Sequence, residues 1–202
     1  MNFFGNGFPI RNSSPLTLRR RPLSLLMRNK RTVPDGVMAK ITELHQQGVQ
    51  GDRNAVNQAY TLLQSVRDLY LRNELVEAYY GSTLALQGRD ALEPMERLEK
   101  VRSGLTFLDE AVGNDPDQVQ IRALRGYVCY RLPEIFFHKT ATAVEDFAYL
   151  AARYEKEPEV ISRDFYRQIL ADLATAHQNL GHSDAARAIR EKLAQLPDVS
   201  HD

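Results

Sequence analysis

From Asp35 onward, apolar residues recur at intervals of three and four along the chain, interrupted at Gly, Asn and Pro. This spacing places the apolar side chains on one face of an α-helix. The pattern predicts about eight helices, beginning near residues 35, 52, 73, 94, 117, 140, 158 and 183. No segment shows the alternation of a half-buried strand. The body is therefore predicted to be all-α, with antiparallel neighbours because most connections are short.

Glycine and proline mark the predicted helix ends. Gly88 is expected to end the third helix because glycine tolerates a positive φ. Residues 87–94 are then expected to form an insertion between the third and fourth helices. Pro158 is expected to open the seventh helix because proline is tolerated in the first turn.

Residues 1–34 lack this periodicity and carry seven cations and no acid, so the rest of the chain has seven more acids than bases. Their prolines and glycines predict a disordered basic arm. Residues 11–31 are expected to contact an anionic membrane or nucleic acid. The cations assigned to this arm are Arg19, Arg20, Arg21, Arg28, Lys30 and Arg31. The helical domain is predicted to span residues 35–197, followed by a tail over residues 198–202.

The composition constrains the compartment and the chemistry. A single cysteine, Cys129, predicts a buried thiol and fits a cytoplasmic protein; targeting to an organelle or a membrane surface through the arm is the alternative. The sequence has no glycine-rich phosphate loop, nucleophile elbow or zinc-hydrolase His pair. His177 and His182 are five residues apart, a spacing that favours no metal site. We predict no catalysis, cofactor, metal ion or small-molecule substrate.

Two pairs of adjacent acids also bear on catalysis. Glu145 and Asp146, like Asp109 and Glu110, follow each other on amphipathic helices. General acid–base chemistry requires facing carboxylates in a pocket. We expect both pairs to lie on solvated helix faces.

The segment from Ala174 to Pro197 resembles the second half of a tetratricopeptide repeat. Ala174, Gly181, Ala186 and Pro197 occupy, within one residue, the small, turn, small and terminal positions of that family. Earlier units resemble it less closely, and the family's usual Trp is missing throughout. The resemblance implies antiparallel helix pairs stacked as a short superhelix, whose first helices line a concave groove.

The resemblance also implies a set of groove residues. They are Ser82, Tyr127, Tyr130, Arg131, Thr175, Gln178 and Asn179. Tyr and Arg are residue types that anchor protein interfaces, although tyrosines in a helical protein can equally belong to its core. Adjacent Phe136 and Phe137 either tuck under the neighbouring segment or form an exposed contact patch.

These observations predict a non-catalytic adaptor, scaffold or assembly factor that binds a peptide or helix of a partner protein in the groove. The alternative is a peripheral membrane- or nucleic-acid-associated factor targeted by the basic arm.

Overall fold

The computed structural model describes residues 32–70 and 73–196. Within them the chain forms nine α-helices and no strand, and the helices pack in sequential antiparallel pairs, which confirms the predicted fold class. The predictions for residues 1–31 and 197–202 lie outside the described residues. The helices are α1 (Asp35–Val49), α2 (Arg53–Leu69), α3 (Glu74–Asp90), α4 (Pro94–Asn114), α5 (Val119–Arg131), α6 (Glu134–Phe137), α7 (Thr140–Lys156), α8 (Arg163–Asn179) and α9 (Ser183–Gln195).

Side-chain caps fix the starts of three helices. Asp52 accepts hydrogen bonds from the amides of Asn54 and Ala55 at the start of α2, and Asn73 accepts one from Val76 at the start of α3. Ser162 does the same for Phe165 at the start of α8. These oxygens satisfy amides that have no partner inside the helix.

Two predicted boundaries are wrong. Gly88 lies inside α3 rather than at its end, because α4 passes so close that a Cβ there would lie 2.8 Å from the Val101 side chain. The expected insertion over residues 87–94 mostly lengthens α3 instead. Pro158 does not open α8, which begins at Arg163 behind the Ser162 cap. The additional helix, α6, is a short turn after Pro133.

Helix α3 is the centre of the N-terminal half and contacts α1, α2, α4 and α5. Every residue from Ala78 to Leu84 is buried. A helix that is surrounded on all sides cannot carry the one-sided stripe of a surface helix. Its small residues, Gly81 and Ser82 among them, leave room for the neighbouring helices.

The core consists of two apolar clusters along the chain. The first joins α1, α2, α3 and parts of α4 and α5 around Ile41, Leu63 and Leu108. The second joins the remaining parts of α4 and α5 to α7 and α8 around Phe147 and Tyr166. Helices α4 and α5 contribute to both clusters, and the candidate site lies beside them.

Candidate functional site

A cavity of about 570 Å³ opens where α1, α3 and α5 lie side by side. Its volume lies in the range of roughly 300–1,000 Å³ that is usual for binding pockets. Most of its wall is apolar, as at Val49, Leu86 and Leu124, and the beginning of α4 and the α5–α6 connection complete it. The cavity is therefore an apolar concavity built from several helices.

Ser82, from α3, and His45, from α1, place a polar pair in this wall. The Ser82 Oγ lies 2.7 Å from the His45 Nε2, and both side chains are buried. Burial lowers the pKa of His45 from 6.5 to about 4. The imidazole is therefore neutral near pH 7, and it also meets the Tyr79 ring edge-on.

The charged groups of the wall are all cations: Arg89, Arg97 and Arg131. Arg89 pairs with Asp90 at 2.8 Å, and Arg97 donates to the carbonyl oxygen of Ala91 at 2.9 Å. Among the residues that the structure describes, no carboxylate belongs to the wall. The cavity thus combines apolar surface with positive charge.

One exposed apolar side chain, Phe136, lines the cavity, and three more flank its wall residues along the chain. Leu92 and Met95 lie on the segment between Arg89 and Arg97, which both line the wall, and Ile135 precedes the wall residue Phe136. These four are most of the exposed large hydrophobic residues in the described chain, where Leu69 is the other. Phe136 is 74% exposed and Phe137 is half-buried. The first therefore forms part of an exposed patch, and the second is partly tucked against the fold.

A second, polar cluster surrounds Asp172 of α8. The Tyr127 hydroxyl and the Gln168 amide donate to this carboxylate at 3.2 and 3.0 Å. Burial raises the pKa of Asp172, although these hydrogen bonds and the charge of Arg131 oppose the rise. Because Tyr127 and Arg131 also line the cavity, the two features are continuous on α5.

The structure divides the predicted groove residues into two groups. Ser82, Tyr127 and Arg131 line the cavity. Tyr130, Thr175, Gln178 and Asn179 do not belong to its wall. Tyr130 packs against the Phe147 ring, while Thr175, Gln178 and Asn179 lie exposed near the end of α8.

The expectation for the acid pairs is wrong at Asp146. Glu145 is 62% exposed, but Asp146 is fully buried and receives two hydrogen bonds of 2.8 Å from Arg125. Arg122 donates to both carboxylates. Burial disfavours the charge on Arg125, but its contacts with Asp146 outweigh that cost and raise its pKa. The sequence does show two cations three residues apart, Arg122 and Arg125, and two adjacent acids further along the chain. Their spacing alone does not predict this ion-pair cluster, because it does not show which helices face each other.

The Ser82–His45 pair has the spacing of a nucleophile and a base. A histidine whose pKa is about 4 is a weak base near pH 7, however, and His45 joins none of the ion pairs found among the described residues. The His45–Ser82 pair therefore serves as a hydrogen-bonding group in the cavity wall.

Other predicted features can be placed as well. Cys129 is buried, and burial raises the pKa of its thiol to about 12. The Nδ1 atoms of His177 and His182 lie 3.3 Å apart. Within residues 32–70 and 73–196, no three His, Cys, Asp or Glu side chains are grouped to hold a metal ion. In the same ranges no helix has the length and hydropathy to cross a membrane.

Comparisons with family models, with curated proteins and with solved structures found no match to this chain. The resemblance to tetratricopeptide repeats therefore remains a prediction, whereas the all-helical architecture is an observation.

Proposed function

We propose that this protein is a non-catalytic interaction module, an adaptor, scaffold or assembly factor that docks a segment of a partner protein into the cavity between α1, α3 and α5. The observation that carries the proposal is an apolar concavity whose wall includes the exposed Phe136, with exposed Leu92, Met95 and Ile135 close to wall residues along the chain. Large exposed apolar side chains beside a concavity are typical of interaction surfaces.

The order of the helices supports the same function. Helices α1, α3 and α5 open successive antiparallel pairs, and α3 contacts both α1 and α5. A tetratricopeptide-like superhelix has this order, and it presents its first helices as a concave binding surface. Such a superhelix is therefore part of the proposal.

Site-specific photocrosslinking in native cell extract tests the docking site. A benzophenone amino acid replaces Phe136, which borders the cavity, and in a matched variant replaces Leu69, which lies outside its wall. The two side chains are similarly exposed, at 74% and 61%. We expect one protein to form an adduct with the probe at position 136 and not at position 69.

A cavity-filling variant is the control for specificity. Ala85→Leu adds bulk to the cavity wall, and circular dichroism checks that the helices remain. We expect the adduct at position 136 to disappear in this variant. Adducts at position 69 of equal yield, or adducts that persist when the cavity is filled, would show that the surface is not a specific docking site.

The alternative function rests on the basic arm, whose seven cations lie outside the described residues. Replacing its six assigned cations, from Arg19 to Arg31, by Gln separates the two functions. The docking proposal expects the adduct at position 136 to remain. Loss of that adduct together with loss of binding to anionic vesicles or nucleic acid would favour the alternative.

A further inference from the structure

We propose that the docked segment is an amphipathic α-helix with acidic side chains beside its apolar face. This inference rests on the proposed function and specifies the chemistry of the partner at the same cavity. Three observations carry it: the sign of the charge in the cavity wall, the polar groups available there, and the charge of the N-terminal arm.

The cavity wall reverses the charge of the body around it. Residues 35–202 contain seven more acids than bases, yet the described part of the chain contributes three arginines and no carboxylate to the wall. Arg89 has a partner in Asp90, and Arg131 interacts with Asp172. Arg97 is exposed and takes part in none of the ion pairs between described residues. A carboxylate of an occupant near Arg97 would give this cation an ion-pair partner.

The wall has few groups that could pair with a peptide backbone. Besides the arginines, its polar side chains include His45, Gln46 and Ser82. His45 and Ser82 already form a hydrogen bond with each other. An extended peptide buried there would leave backbone N–H and C=O groups unpaired, at a cost in free energy. A helix satisfies its own backbone, so that it buries only its apolar face.

The charge of the N-terminal arm argues against the protein's own chain as occupant. Residues 1–34 contain seven cations and no acid, the same sign as the cavity wall. Like charges at an interface oppose association. The N-terminal arm is therefore disfavoured as the occupant, and the proposed occupant is a segment of another protein.

Peptide selection on the full-length protein tests this chemistry. A display library of random peptides about 18 residues long, or five helical turns, is selected against the wild type. Peptides that also bind Ala85→Leu are discarded. We expect the remaining peptides to hold more Asp and Glu than Lys and Arg, with apolar residues at helical spacing. Synthetic copies should become helical on binding, as measured by circular dichroism.

A charge reversal then tests the role of Arg97. Arg97→Glu should weaken binding of the selected peptides by about tenfold or more, with the difference shrinking as salt is added. Arg187→Glu is the matched control, since Arg187 is also exposed but lies on α9, outside the wall. We expect a change below about twofold there.

The remaining outcomes separate the two proposals. Cavity-dependent peptides that are basic, uncharged or non-helical would overturn the acidic-helix inference and leave the docking function standing. A dimer of the protein that Ala85→Leu dissociates would identify a second copy as occupant, again against the inference. If no selected peptide depends on the cavity, both proposals fail. Should Ala85→Leu unfold, Phe136→Ser at the exposed rim replaces it.

Discussion

The α3–α4 pair packs through its backbones, whereas the α5–α7 pair packs through buried charges. A Cβ built on Gly81 would lie only 2.7 Å from the carbonyl oxygen of Gly104, so α3 and α4 touch without side chains between them. Between α5 and α7, Arg125 and Arg122 surround the buried carboxylate of Asp146. The cavity wall draws on α3, α4 and α5 and therefore depends on both kinds of contact.

This difference determines which changes each region tolerates. The contact between Gly81 and Gly104 has no space for a larger side chain, and it is made of backbone atoms rather than of charged groups. In the second pair, an ion left without its partner is buried and uncompensated. Volume should therefore destabilise the first region, and loss of charge the second.

Asp146→Ala should have the largest effect. It leaves Arg122 and Arg125 without their buried partner, and breaking a buried ion pair costs about 3–5 kcal/mol. Urea denaturation of this variant measures the loss. Glu145→Ala is the matched control, because its carboxylate is 62% exposed and meets the same arginines, and we expect a loss below about 1 kcal/mol. Equal losses would contradict the distinction between the two acids.

Gly104→Val should come next. Its side chain would collide with the backbone of Gly81, which cannot move aside as a flexible side chain can. Overpacking of this kind costs about 3 kcal/mol, to be measured by thermal and urea denaturation. Gly113→Ala, in the same helix, has nothing within 4 Å of the added Cβ. It should raise stability by up to about 1 kcal/mol; a similar loss in both variants would argue against the close contact.

Acid should weaken the N-terminal half through His45. The pKa of this group is 6.5 in the unfolded chain and about 4 in the folded one, so the unfolded chain binds more protons between these values. The free energy of unfolding should therefore fall as the pH falls, by about 2 kcal/mol from pH 6.5 to pH 5.

The matched variant for this pH effect is His45→Gln, which keeps a hydrogen-bonding side chain toward Ser82. Carboxylates that titrate in the same range contribute equally to both proteins, so their difference isolates His45. Parallel pH profiles of the free energy of unfolding for the two proteins would disprove the role of this histidine.

Thr83→Val should give the smallest change, and a favourable one. The Thr83 hydroxyl is fully buried and has no hydrogen-bond partner among the described residues, so an apolar group of the same shape should stabilise the fold by about 1 kcal/mol. In contrast, Thr42→Val removes a hydroxyl that donates to the Met38 carbonyl and should destabilise by a similar amount. A loss of stability in Thr83→Val, measured by urea denaturation, would mean that its hydroxyl has a partner after all.

Much of the fold is predictable because helical periodicity is local. The apolar spacing identified all eight long helices, and Pro94 and Ser183 lie where two of them begin. The wrong helix boundaries predicted at Gly88 and Pro158 have one cause. Each residue type is common at helix ends, but whether a helix ends there depends on the neighbouring segments. Gly88 serves the contact with α4 and does not end α3.

The candidate site is less predictable than the fold. Ser82, Tyr127 and Arg131 follow from the repeat pattern, whereas His45 and Arg97 come from positions that the pattern does not mark. The sequence also does not predict that Glu145 is exposed while Asp146 is buried. Which of two adjacent helix positions is buried depends on where the neighbouring helix lies.

The sequence by itself determined the helices, the antiparallel order of their pairs and the opposite charges of the arm and the body. Each of these follows from residues that are close along the chain. Only the tertiary structure decided that α3 touches α4 through glycines, that Asp146 is buried, and that three arginines share one apolar cavity. These features join residues that are far apart in sequence, so they depend on how the helices pack against one another.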